Sequence, residues 1–109
     1  MSTDNNRLLL ELDRYRREIN RELINPRFPE LKLEDLKPVL TMVAHARADY
    51  VAQLLELADS GNGQPPAPEQ IAALKRSRET FDELVAAVNA LESLISRDYL
   101  DVQSSQGGR

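Results

Sequence analysis

The C-terminal third of the chain carries the longest helical pattern. From Pro68 onward, apolar residues recur at spacings of three and four, which is the period of a helix and not the alternation of a strand. Pro68 suits the first helical position, where a backbone N–H would have no helical partner. The pattern therefore predicts one helix over residues 68–100 or so. Its apolar positions are Ile71, Leu74, Phe81, Leu84, Val85, Val88, Leu91, Leu94, Ile95 and Tyr99.

A shorter helical pattern opens the chain and predicts a helix over about residues 4–24. Ser2, Thr3 and Asp4 offer side-chain oxygens for its N-cap. Asn25-Pro26 ends it, because the residue before a proline is disfavoured in the α region. Five apolar residues form one nearly heptad-spaced line, the first-helix stripe, which we expect to be buried. The first-helix stripe consists of Leu8, Leu12, Tyr15, Ile19 and Leu23.

The middle helical pattern covers about residues 35–59 and follows a stiff connection that contains Pro26 and Pro29. Pro38 is compatible with this helix because it lies in the first turn, where N–H groups have no helical partner. The apolar arc exceeds half of the circumference, which indicates a helix flanked on two sides. Residues 60–63, Ser-Gly-Asn-Gly, supply left-handed conformations for its C-terminus.

Three helices with short connections pack antiparallel in sequence order, so we expect an all-α three-helix bundle with a long C-terminal helix. We expect residues 1–102 to form a single domain and residues 103–109 to form a disordered tail. The last helix is too long for its neighbours to cover, which predicts an exposed apolar end that dimerisation or an unidentified protein partner would bury. The candidate interface residues are Leu91, Leu94, Ile95, Tyr99, Leu100 and Phe28.

Composition narrows the function classes. Hydrophobic residues make up 41% of the chain and aromatic residues only 5%, a balance typical of helix packing. The absence of cysteine excludes disulfides and thiolate metal ligands. The net charge of −4 disfavours general affinity for phosphate backbones. No apolar run approaches the roughly 18 residues of a membrane span, and no signal pattern opens the chain, so we expect a cytoplasmic protein.

Candidate catalytic chemistry is confined to His45 and Asp49, which are four residues apart on the middle helix. A histidine–carboxylate pair can act as a general base or contribute to a metal site. A metal site needs three or four ligands, however, and no second histidine is present. There is no Gly-x-Ser-x-Gly elbow and no glycine-rich phosphate loop. We therefore predict no enzyme, metal or cofactor site and interpret the pair as a surface hydrogen bond.

Four arginines of the first helix lie within about 80° of one another on a helical wheel. Such a row could bind phosphates or an acidic partner. Glutamates beside the row, Glu11 and Glu18 among them, can neutralise it, and no aromatic residues are interleaved for base stacking. We interpret the row as a solvated, salt-bridged face. This candidate anion-binding face consists of Arg7, Arg14, Arg17 and Arg21.

The sequence thus favours a non-enzymatic interaction protein, adaptor-like or chaperone-like, that self-associates as a dimer. A nucleic-acid-associated regulator using the arginine row is the second hypothesis, and an enzyme at His45 and Asp49 is the third. The three differ in which substitution abolishes function: an apolar residue near Tyr99, the pair Arg14 and Arg17, or His45.

Overall fold

The computed structural model describes residues 2–104, with side chains from Asp4 onward. Within this range the only β-type pairing is an isolated bridge between Lys32 and Gln103. The prediction of an all-α chain with three helices is therefore confirmed, and the C-terminal helix is the longest of the three, at 29 residues. The predicted dimer remains a prediction. The helices are α1 (Ser2–Ile24), α2 (Lys37–Ser60) and α3 (Pro68–Ser96), and short 3-10 helices cover Asn25–Arg27 and Leu33–Leu36.

Proline and glycine positions explain most of the helix ends. α1 stops before Asn25-Pro26, and α3 begins at Pro68, as predicted. α2 is followed by two left-handed residues, Asn62 with φ 53° and Gly63 with φ 83°. The Gly63 N–H donates to the Ala58 carbonyl oxygen at 3.1 Å, which is the long hydrogen bond of a Schellman cap. α2 begins slightly later than predicted because a 3-10 helix precedes it.

α3 ends at Ser96 and does not reach Leu100 as predicted. Asp98 adopts the left-handed conformation, with φ 65°. The Tyr99 N–H donates to the Leu94 carbonyl oxygen at 2.8 Å, and the Asp98 N–H donates to the Ile95 carbonyl oxygen at 3.1 Å. These two bonds form a second Schellman cap, here with aspartate where glycine is usual. The chain consequently leaves the helix axis before Tyr99.

This turn corrects the prediction that Tyr99 and Leu100 are exposed. Their exposed fractions are 8% and 3%, so both are buried within the chain. The prediction assumed that the helix continued past Ser96 and carried both side chains beyond its neighbours. Because the Schellman cap reverses the chain, it brings an apolar pair back onto the protein, as the hydrophobic residue after such a cap commonly does.

The described residues cluster into two compact units, which we name the terminal unit and the hairpin unit. The terminal unit contains α1 and the end of α3, and the hairpin unit contains α2 and most of α3. The terminal unit comprises residues 2–35 and 90–104, and the hairpin unit comprises 36–89.

In the hairpin unit, α2 and residues 68–89 of α3 run antiparallel. The rings of Tyr50 and Phe81 stack with their centroids 6.3 Å apart. One turn further along α2, the Gln53 side-chain amide donates to the Ser77 hydroxyl at 3.2 Å. Val43 is buried in this unit. Beside this contact face, α2 carries large apolar residues that are exposed. These exposed residues are Leu40, Val51, Leu54 and Leu55.

In the terminal unit, the segment after α3 pairs with the connection that follows α1. The Leu33 N–H donates to the Gln103 carbonyl oxygen at 2.7 Å, and the Gln103 N–H donates to the Leu31 carbonyl oxygen at 2.8 Å. Gln103, the first residue of the predicted disordered tail, is therefore held in place by its backbone. Residues 105–109 of that predicted tail lie outside the described residues.

The burial of Leu100 generates a stability prediction. Replacing Leu100 with alanine should lower the free energy of unfolding by about 2–5 kcal/mol, because it leaves a cavity where the side chain was enclosed. Leu10 is a matched control on α1, since its exposed fraction is 72%. Leu10→Ala should change the free energy by less than about 0.5 kcal/mol. Urea unfolding measures both, and equal losses for the two variants would contradict the burial.

Candidate interaction surface

Arg21, near the C-terminal end of α1, binds the segment that follows α3. Its Nη1 donates to the Asp98 carbonyl oxygen at 2.6 Å and to Asp98 Oδ1 at 3.1 Å. Its Nη2 donates to Asp101 Oδ2 at 2.8 Å. Asn25 adds to the set, because the Asp101 N–H donates to Asn25 Oδ1 at 2.9 Å. We name these four residues (Arg21, Asn25, Asp98 and Asp101) the Arg21 clamp.

The clamp shifts the proton affinities of Arg21 and Asp101. The hydrogen bond from Arg21 holds the pKa of Asp101 below the ordinary carboxyl value of 3.8, although desolvation opposes the shift. The same hydrogen bond raises the pKa of Arg21 above its ordinary value, although desolvation opposes the shift. Because the pKa of Asp101 is depressed, its contribution to stability is present above pH 3.8 and is lost on acidification.

The clamp also fixes which face of α1 meets the end of α3. Asp13, Arg17 and Arg21 are spaced four residues apart and so share one face. Asp13 and Arg17 line a cleft of about 470 Å³ together with Ser96–Tyr99. At 100° per residue, the centre of this face lies about 160° from the centre of the first-helix stripe. The face of α1 beside the end of α3 is therefore polar, and the stripe lies on nearly the opposite side of the helix.

The first-helix stripe is exposed, which corrects the prediction that it is buried. The exposed fractions of its five side chains run from 50% at Leu12 and Tyr15 to 65% at Leu23. From Leu8 to Leu23 the stripe is about 22 Å long at the α-helical rise of 1.5 Å per residue. The helical spacing places the five side chains on one face of α1, but no other part of the described chain covers that face.

The residues predicted from the sequence as an interface lie in different environments. Leu91, Leu94 and Ile95 are half-buried. Tyr99 and Leu100 are enclosed by the chain, whereas Phe28, in the connection after α1, is 45% exposed. A role of these residues in an interface remains a prediction. The larger exposed apolar line is on α1, and the sequence signal that could have identified it is the heptad-like spacing of the stripe.

The arginine row does not form one uniform surface. Arg14 lies 3.8 Å from both Glu11 and Glu18 along α1, as the sequence suggested. Arg21 is held in the clamp, and Arg17 lines the cleft beside Asp98. Two of the four guanidinium groups of the row are thus already paired with carboxylates.

His45 and Asp49 are both exposed on α2. His45 has no hydrogen-bond or ion-pair partner among the described residues, so the predicted surface hydrogen bond to Asp49 does not form. Asp49 lines an open cleft of about 550 Å³ in the hairpin unit, together with Glu56, Ser77 and Thr80. Within residues 2–104, no three histidine, cysteine, aspartate or glutamate side chains are grouped closely enough to hold a metal ion.

No protein-family model, curated protein or solved structure matches this chain. Across the described residues, none of the helices combines the length and the apolar character needed to cross a membrane.

The clamp generates a pH-dependent prediction. Asp101→Asn should lower the Tm at neutral pH, because the asparagine cannot form an ion pair with Arg21. As the pH falls below 3.8, wild-type Asp101 takes up a proton too, and the difference in Tm between the two proteins should shrink. Thermal unfolding followed by circular dichroism over a pH series measures this difference.

Arg14 provides the control for the clamp. Arg14→Ala removes two exposed contacts of 3.8 Å with Glu11 and Glu18, and a contact of 5.4 Å between the guanidinium and the centre of the Tyr15 ring. Each of these surface contacts contributes at most about 1 kcal/mol. Its effect on the Tm should be small at every pH. A difference between wild type and Asp101→Asn that persists unchanged at acid pH would contradict the ionic role of Asp101.

Proposed function

We propose that this protein is a non-enzymatic helical interaction protein, adaptor-like or chaperone-like, that associates with other polypeptides and with itself. The observation that carries the proposal is the first-helix stripe, five apolar side chains in one line, each at least half exposed. The cytoplasmic location expected from the sequence remains part of the proposal.

The energetic reason is the free energy of apolar surface in water. Fully burying a leucine-sized side chain contributes about 1.5–3 kcal/mol. The stripe contains five large side chains that are half or more exposed, so a partner that covers them gains several kcal/mol before the cost of association. Monomeric proteins seldom leave a continuous apolar patch larger than about a few hundred Å² in contact with water.

The shape of the stripe favours another helix as the covering element. Its residues follow spacings of four, three, four and four, which place them in one narrow line along α1. A narrow apolar line is matched by the side chains of a second helix that runs alongside it, as in helix-in-groove and coiled-coil recognition. A small-molecule ligand would instead need a concave pocket.

The Arg21 clamp supports the proposal because it opposes rotation of α1. Turning the stripe inward would require a rotation of about 160° about the helix axis. Arg21 would then lose its contacts with Asp98 and Asp101. From Asp4 to Ile19 every residue of α1 is exposed, and the half-buried residues near its C-terminal end, Asn20, Arg21 and Ile24, lie off the stripe.

A stripe substitution tests the proposal. Leu12→Asp combined with Ile19→Asp should abolish association, because two carboxylates would have to be desolvated in the contact. Leu10→Asp is the matched control: it changes the same residue type on the same helix, off the stripe and 72% exposed. The measurement is molar mass by light scattering over a range of protein concentrations, with circular dichroism to confirm that helix content is kept.

Three outcomes separate the hypotheses. Wild-type protein that gains mass with concentration, together with a monomeric stripe variant and an unchanged Leu10→Asp control, supports the proposal. A wild-type protein that stays monomeric and captures no partner through the stripe contradicts it. The nucleic-acid alternative instead predicts a salt-dependent mobility shift that Arg14→Glu with Arg17→Glu abolishes, and our proposal expects no shift.

A further inference from the structure

We infer that the stripe is covered by the same stripe of a second copy of this chain, in a parallel, in-register, two-stranded coiled coil. This inference rests on the proposed function and names the occupant of the surface. It follows from the heptad register of α1, from the charges that flank the stripe and from the position of the Arg21 clamp.

The heptad register is set by the stripe itself. Leu12 and Ile19 take position a, and Leu8 and Tyr15 take position d. The same register places Asn5 at the preceding a position, within the described part of α1. A single asparagine at an a position favours two strands in matching register, because the two amides can bond to each other only when the helices are aligned. Glu22, at the next d position, ends the apolar seam, and Leu23, the last residue of the stripe, falls at the e position beside it.

The flanking charges distinguish the two relative orientations of the helices. Glu11 and Glu18 fall at g positions, and Arg16 falls at an e position. In a parallel pair, each g residue faces the e residue of the next heptad on the other strand, so Glu11 faces Arg16 of the second copy. In an antiparallel pair, g residues face g residues, and glutamate would meet glutamate. The parallel arrangement therefore forms two symmetric ion pairs where the antiparallel one has repulsion.

The contacts that Glu11 and Arg16 make within the chain are too weak to prevent these ion pairs between two copies. Arg16 lies 3.4 Å from Asp13, and Glu11 lies 3.8 Å from Arg14. Both are exposed pairs along one helix, a class whose contribution is small.

The terminal unit accommodates the coiled coil without rearrangement. Asp13, Arg17 and Arg21, which face the end of α3, fall at positions b, f and c of the same heptads. These are the outer positions of a two-stranded coil. The contacts that hold α1 in its own chain and those that would join it to a second copy thus use opposite sides of the helix. The seam from Asn5 to Ile19 is only about 21 Å long, so the association should depend on concentration.

Single cysteines test the orientation directly, because the chain has none of its own. Leu8→Cys should form an intermolecular disulfide under mild oxidation, since identical d positions meet in a parallel pair. Leu10→Cys is the control at an outer position and should remain at background. An antiparallel pair would instead leave Leu8→Cys unlinked and would cross-link a mixture of Leu8→Cys and Ile19→Cys chains.

Charge exchange provides a second measurement. Glu11→Arg should weaken self-association of the full chain, because it places arginine opposite Arg16 of the second copy. Combining it with Arg16→Glu should restore the association to near the wild-type value. In an antiparallel pair, Glu11→Arg alone would strengthen association by relieving the repulsion between glutamates. The measurement is the dissociation constant by sedimentation equilibrium.

The outcomes separate this inference from the proposed function. Disulfide formation by Leu8→Cys, together with restoration by the double charge exchange, supports the parallel pair. Stripe-dependent association that cross-links only the Leu8→Cys and Ile19→Cys mixture, or that cross-links neither, overturns the inference and leaves the proposed function standing. A wild-type chain that is monomeric at every concentration and captures nothing through the stripe overturns both.

Discussion

The contact of Arg21 with Asp98 and Asp101 determines how the terminal unit presents α1. A guanidinium offers several N–H donors in a fixed plane, and here it reaches one backbone carbonyl oxygen and two carboxylates. The contact joins residues 80 positions apart in sequence. It therefore fixes both the position of the chain after α3 and the rotation of α1 about its own axis. The face that the clamp uses lies about 160° from the stripe, which is exposed together with the rest of α1 from Asp4 to Ile19.

The turn at the end of α3 brings Asp98 within hydrogen-bonding distance of Arg21. Asp98 occupies the left-handed position of the Schellman cap, and its carbonyl oxygen and carboxylate both reach Arg21. The same reversal buries Tyr99 and Leu100, which with Val43 are the buried apolar residues of the described chain. Such a small enclosed core supplies little hydrophobic stabilisation for a chain of this length. Covering the stripe would add to it, so the proposed association would also raise folding stability through mass action.

The elements of the fold could be predicted from the sequence because their signals are local. Pro26 and Pro68 mark one end each of α1 and α3, and the left-handed Asn62 and Gly63 mark the end of α2. The end of α3 could not be predicted, since aspartate at a left-handed cap has no distinctive local pattern. The first-helix stripe could be recognised by its period but not assigned to a partner, because hydrophobic spacing identifies an apolar face and not the surface that covers it. Which surface covers an apolar face depends on contacts between residues that are distant in sequence. The pairing of Arg21 with Asp101 is such a contact, and no local spacing indicates it.

On α1, the polar contacts within the chain and the exposed apolar stripe use different faces of the helix. The Arg21 clamp and the cleft beside it use the outer heptad positions, and these contacts are made whatever the protein concentration. The stripe uses the a and d positions, and in the proposed coiled coil a second copy would bury it. A helix that buried its apolar side within its own chain would have no such surface left to offer. If association occurs as proposed, the polar face of α1 would make its contacts within the chain at any concentration, and the stripe would be covered only where the concentration is high enough.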